Sequence, residues 1–87
     1  MNNDQYLNKA KQSVVAAEGW IDHEDLYVVW FCKTLGNWKA LVSTDMMDGV
    51  YWEVTYNGAK RETYVDAYTK TANTCVKDAD RAPGQED

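Results

Sequence analysis

Between residues 26 and 69 the chain has four strand-forming runs joined by connections too short to hold a helix. Leu26-Tyr-Val-Val-Trp-Phe-Cys-Lys-Thr34 is dense in β-branched and aromatic residues, which fit a pleated, half-buried surface. Leu35-Gly36-Asn37 interrupts it, and residues 38–44 resume the pattern. Asp48-Gly49 and Asn57-Gly58 flank a third run at 50–56, and a fourth, 62–69, follows directly. Asp-Gly and Asn-Gly supply the positive φ angles that tight hairpins use. A parallel neighbour needs a crossover of about a dozen residues or more, so these runs must pair antiparallel. The expected scaffold is a four-stranded meander.

Strict alternation then assigns faces. One face carries Val28, Trp30 and Cys32, then Trp38, Ala40 and Val42, then Trp52, Val54 and Tyr56, then Val65 and Ala67. The opposite face carries Tyr27, Val29, Phe31, Leu41, Tyr51, Glu53, Tyr64, Asp66 and Tyr68. The first reads as a core face. The second is too aromatic to be an ordinary wet face.

A helix precedes the sheet. Asn3 or Asp4 is placed to cap it, and Gly19 supplies a stop after Glu18. Tyr6, Leu7, Ala10, Val14 and Ala17 form one stripe, read as the cover of the Trp30/Trp52/Val54 face. Residues 20–25 connect helix to sheet as a solvated acidic linker. Residues 71–76 read equally as a short helical turn or a strand extension. The tail from 77 to 87, with Pro83-Gly84 among charges, reads as disordered. The expected class is α+β, one domain over 1–76.

A chain of 87 residues buries only roughly 60–65% of its unfolded surface, so large rings matter to its core. The net charge of −5 is unevenly placed. Residues 1–25 hold five acids and two bases, 26–76 hold five of each, and 77–87 hold four and two. A neutral sheet lacks the basic stripe that a phosphate backbone requires, which argues against direct nucleic-acid binding. No run is long and apolar enough to span a bilayer and no leader pattern opens the chain, so the expected location is cytoplasmic.

No arrangement of reactive residues points to catalysis or cofactors. Cys32 and Cys75 belong to no C-x-x-C pair and, in a reducing compartment, read as buried or partly buried free thiols, with a structural disulfide between them as the alternative. Two Cys and one His do not complete a zinc site. His23-Glu24-Asp25 are adjacent residues that point in different directions. Asp45 and Asp48 lack the alternating oxygens and distal Glu of a calcium loop. Glu53 and Asp66 face each other across two strands, but as neighbours of Lys33 and Lys39 rather than as an acid/base pair. The only His has no nucleophile beside it. The expectation is a non-enzyme with neither metal nor cofactor.

Two resemblances add to this reading. Val29-Trp30, Cys32-Lys33-Thr34-Leu35, Lys39-Ala40-Leu41, Asp48-Gly49, residues 51–58 and Asp66-Ala67-Tyr68 occur in an order that resembles a small protein family of tailed phages and prophages of Gram-positive bacteria. The resemblance implies a phage accessory protein acting in the bacterial host cytoplasm. Trp52-Glu53-Val54 followed by Tyr64-Val65-Asp66-Ala67-Tyr68-Thr69 is more loosely similar to the hairpin of PepSY-type domains, with Lys70 where those have Gly. That similarity implies a helix wrapped by an antiparallel sheet.

The function these features favour is protein binding. Left uncovered, Tyr27, Phe31, Leu41, Tyr51, Tyr64 and Tyr68 would form an aromatic patch of the kind that marks interaction sites; the alternative is that the tail or residues 20–25 fold across and cover it within the chain. The expected partner is a host or phage protein, with inhibition or redirection of a host defence system as the corresponding role. Two alternatives stand beside it. One is an acidic mimic of nucleic acid acting on a DNA-binding host enzyme such as a CRISPR or restriction nuclease. The other is a homodimer or assembly protein with the aromatic face as its seam.

Overall fold

The computed structural model describes residues 1–78. In chain order it contains helix α1 (Asn3–Glu18), a single 3-10 turn (His23–Asp25), and strands β1 (Leu26–Thr34), β2 (Asn37–Thr44), β3 (Val50–Asn57) and β4 (Glu62–Thr69). The sheet order is β1-β2-β3-β4, antiparallel throughout. Among the described residues one helix lies on one face and no layer lies over the other, a two-layer arrangement. Residues 71–78 are neither helix nor strand, and the expected tail lies outside the described residues apart from 77 and 78.

The helix starts one residue earlier than the sequence suggests. Asn2 is the cap: its Oδ1 accepts from the Gln5 amide at 2.9 Å, and Gln5 Oε1 accepts from the Asn2 amide at 2.8 Å. This reciprocal box satisfies two donors that the helix itself leaves free. Gly19, at φ 79°, ends the helix, donating to the Val15 carbonyl at 2.9 Å.

Ala10 and Val14 are the fully buried helix residues, against Ala40, Val42, Trp52 and Val54 of the sheet. Ala17, expected on the buried stripe, is exposed. The helix instead ends its packed line on Glu18, whose carboxylate accepts from the indole N–H of buried Trp52 at 2.7 Å and from that of Trp20 at 3.3 Å. A carboxylate at a helix C-terminus opposes the macrodipole. Its place there is explained by the buried indole donor it satisfies. The linker contributes Ile21 to the core, 2% exposed, which its acidic neighbours conceal in the sequence. Buried Thr44 anchors the linker's end by donating to the Asp25 carbonyl at 2.6 Å.

Strict alternation fails in β1. Val28 pairs with Val42, but Trp30 pairs with Leu41 and Phe31 with Ala40, so Val29 is an extra residue. This β-bulge reverses the facing of everything after it. Phe31 and Lys33 therefore turn toward the helix, and Trp30 and Cys32 turn away. The Phe31 ring lies 5.3 Å from Tyr6 and 6.1 Å from Trp38, and Trp38 stacks on Tyr56 at 5.7 Å. Lys33 Nζ sits 5.7 Å from the centre of the Tyr6 ring, closing this end of the core with a cation–π contact.

The turns also differ in detail. Gly49 takes the positive φ (74°) expected of Asp-Gly. At the other two turns the left-handed positions are Leu35 (φ 56°) and Arg61 (φ 54°), not Gly36 or Gly58. Gly58 answers a different need: a Cβ there would collide with the carbonyl of Gly36 in the neighbouring turn. Its amide donates to Asn37 Oδ1 at 2.9 Å, which ties the two turns together.

Candidate functional site

The face opposite the helix is built in rows across the strands. The pairing registers place Tyr27, Ser43, Tyr51 and Tyr68 in one row. The next holds Trp30, Leu41, Glu53 and Asp66, and the next Cys32, Lys39, Thr55 and Tyr64. Five of the six expected binding residues lie on this face: Tyr27, Leu41, Tyr51, Tyr64 and Tyr68. The sixth, Phe31, does not. The bulge at Val29 sends its ring into the core, and Trp30 occupies the outer face in its place.

Tyr27, Trp30, Tyr64 and Tyr68 are 44, 42, 48 and 51% exposed. Leu41 and Tyr51 are half-buried among them, and Ser43 is buried between Tyr27 and Tyr51, donating to the Val50 carbonyl at 2.9 Å. Among the described residues, no segment lies across this face. Residues 70–78 are exposed throughout, and Trp20 is also exposed.

The polar groups of the face are arranged around the rings. Lys39 Nζ is 3.8 Å from Glu53 Oε2, a single surface ion pair of small energetic weight. Lys33, expected beside them, is on the other side of the sheet. Asp66 stands opposite Glu53 without a basic neighbour within salt-bridge distance among the described residues. Tyr64 donates its hydroxyl to Glu62 Oε1 at 2.6 Å. That hydrogen bond, with the adjacent negative charge, raises the Tyr64 pKa above its ordinary 10.0, because both favour the protonated phenol. A shallow hollow of about 300 Å³ continues the face toward the two linked turns, lined on this side by Cys32, Thr34, Asn37, Lys39, Thr55 and Asn57.

Cys32 and Cys75 are unpaired, and both are exposed rather than buried. For Cys32 the cause is again the bulge. Among the described residues no group of three or more His, Cys, Asp or Glu side chains is placed to hold a metal ion. No described helix is long and apolar enough to cross a membrane.

A family model described as a family of unknown function (DUF6275) matches residues 3–78. The chain belongs to the DUF6275 family. The match runs from the first turn of α1 past the end of β4, so the DUF6275 unit includes the bulge, the helix cover and the whole aromatic face. No curated protein and no solved structure matches the chain.

Trp30 is the residue that alternation missed. The only local signal is the run Val28-Val29-Trp30-Phe31 itself. Four consecutive large apolar residues give no polar position to mark which one faces water.

Proposed function

We propose that this DUF6275 protein is a non-enzymatic binding module that docks a protein partner on the open sheet face through Tyr27, Trp30, Leu41, Tyr51, Tyr64 and Tyr68. The single observation that carries this reading is Trp30. A β-bulge turns a large indole away from the core and onto the face that carries three exposed tyrosines, where it is 42% exposed. Tyr and Trp suit such a role because they offer large area, few torsions to freeze and a polar edge. Asp66 and Glu62 at the β4 side call for a partner with an apolar centre and a basic rim.

The resemblance of residues 28–70 to phage-encoded proteins supports a place among phage or prophage accessory proteins, acting on a host or phage protein in the bacterial cytoplasm. Blocking or redirecting a host defence component fits a small module with one docking face.

The test is capture of a host protein by tagged wild-type chain, followed by reconstitution with the purified captured protein. Trp30→Ala with Tyr68→Ala should keep the wild-type circular dichroism and abolish binding. A folded double variant that binds as tightly as wild type refutes the proposed face.

A further inference from the structure

The two edges of the sheet are unlike. At β1 the bulge at Val29 breaks the flat row of unpaired backbone groups, a common guard against edge-to-edge pairing. The β4 edge, Glu62–Thr69, has neither bulge nor proline, and β4 pairs with β3 in unbroken register. The Lys70 amide donates to the Gly49 carbonyl at 2.7 Å, so the even-numbered positions turn their backbone groups toward β3. By alternation, Thr63, Val65, Ala67 and Thr69 turn their N–H and C=O groups outward. Their side chains point to the helix side, where α1 does not fully cover them: Thr63, Ala67 and Thr69 are exposed. A hollow of about 310 Å³ lies there between strand and helix, lined by Ser13, Ala16, Ala17, Thr63 and Val65.

We propose that this edge pairs with a second copy of the chain, β4 against β4, in an antiparallel two-fold seam centred on Asp66. The sequence of the strand selects the partner and the register. Centred on Asp66, the outer face sets Glu62 opposite the partner's Lys70 and Tyr64 opposite the partner's Tyr68, each pair occurring twice. On the helix side Thr63 meets the partner's Thr69 and Val65 meets the partner's Ala67, side chains short enough for the hollow. One like-charge contact results, Asp66 against the partner's Asp66. Centring on Val65 instead sets Lys60 against the partner's Lys70 and Tyr64 against the partner's Asp66, losing both the opposite-charge and the aromatic pairs. Opposite-charge and aromatic cross-strand pairs are each favourable, and like charges directly opposite are not. The product is a continuous eight-stranded sheet with both helices on one side.

This inference does not depend on the docking role of the aromatic face, because the seam uses the outward backbone of β4. Sedimentation velocity across about 1–500 µM, which reaches the weak, micromolar end of interface affinities, tests it. The wild type should pass from 9.9 kDa to twice that mass. The Thr63, Val65, Ala67 and Thr69 amides should become protected from hydrogen exchange over the same range. Ala67→Pro removes an outward donor and leaves the β3–β4 ladder intact, so it should stay monomeric with wild-type circular dichroism. Ala67→Lys, which sets a charged side chain beside the partner's Val65 on the helix side of the seam, should do the same and decides the matter where the proline variant fails to fold. Asp66→Asn should tighten association about threefold by removing the like-charge contact. A wild type that remains monomeric throughout, or folded Ala67 variants that still dimerise, overturns the self-pairing.

Discussion

Paired alanine substitutions at Trp30 and Phe31 test the bulge directly, because the two facings predict opposite rankings. With unbroken alternation, Trp30 would be core and Phe31 would face solvent. With Val29 as an extra residue, Phe31 lies between Tyr6 and Trp38, at 5.3 and 6.1 Å between ring centres, while Trp30 stays 42% exposed. Truncating a fully buried phenylalanine costs about 3–5 kcal/mol. Phe31 is half-buried but takes part in two aromatic contacts, so Phe31→Ala should cost about 2–3 kcal/mol. For a domain this small that is a drop in Tm of roughly 10–20 °C. Trp30→Ala removes a half-exposed ring from the face opposite the helix and should cost about 1 kcal/mol or less. The assay is urea unfolding followed by far-ultraviolet circular dichroism, since the tryptophan signal differs between the variants. The m-values should agree, so that midpoints can be compared. A larger loss for Trp30→Ala than for Phe31→Ala would refute the bulge and the revised docking face with it.

Three further outcomes follow from single contacts. Glu18→Ala leaves the buried Trp52 indole donor without its partner and should cost about 1–3 kcal/mol, while Glu18→Gln, which keeps an acceptor, should cost less than half as much; chemical denaturation measures both. Leu35→Gly should raise stability by about 1 kcal/mol despite adding a flexible residue, because Leu35 is held at φ 56° and is almost fully exposed; an unchanged or lower unfolding midpoint argues against strain at that turn. The raised Tyr64 pKa means that the folded state favours the neutral phenol, so its stabilising contribution is complete below the unfolded value near 10 and fades as pH rises through the folded value. Absorbance titration at alkaline pH should show Tyr64 ionising late, and Glu62→Gln should return it toward normal.

The meander, the helix and most of the outer face were legible because each rests on a local signal that tertiary context did not override. Short connections forced antiparallel pairing, Gly19 fixed the helix end, and alternation in β2, β3 and β4 holds residue for residue. What escaped was decided by contacts distant in sequence. No residue within β1 marks Val29 as extra; the count is set by pairing with β2. Ile21 is buried beside acids because it joins the core cluster formed by helix residues Ala10 and Val14 and sheet residues far along the chain. Gly58 resembles a hairpin glycine but is required by the Gly36 carbonyl of another turn. The left-handed positions fell to Leu35 and Arg61, residues with no preference for them, so the pairing of the flanking strands imposed that conformation.

The bulge has a consequence on both faces at once. A strand that begins Leu-Tyr-Val-Val-Trp-Phe must place large apolar residues on two sides whichever way it is registered. Without the extra residue, an indole would face Tyr6 and Trp38 where the smaller Phe31 ring now packs, and a phenylalanine would lie outward. With it, the core takes the ring that has no polar atom to satisfy, and the outer face takes the one whose N–H can donate to a partner. The same extra residue disrupts the β1 edge and leaves β4 as the regular one. If the β4 edges pair, the row ending in Tyr68 continues onto the partner's Tyr64, and the two aromatic faces become one surface on the same side of a single sheet. A dimer would then present two copies of the proposed docking face in fixed relation, so a partner carrying two sites should be held more tightly by the wild type than by Ala67→Pro, with single-site affinity equal in both.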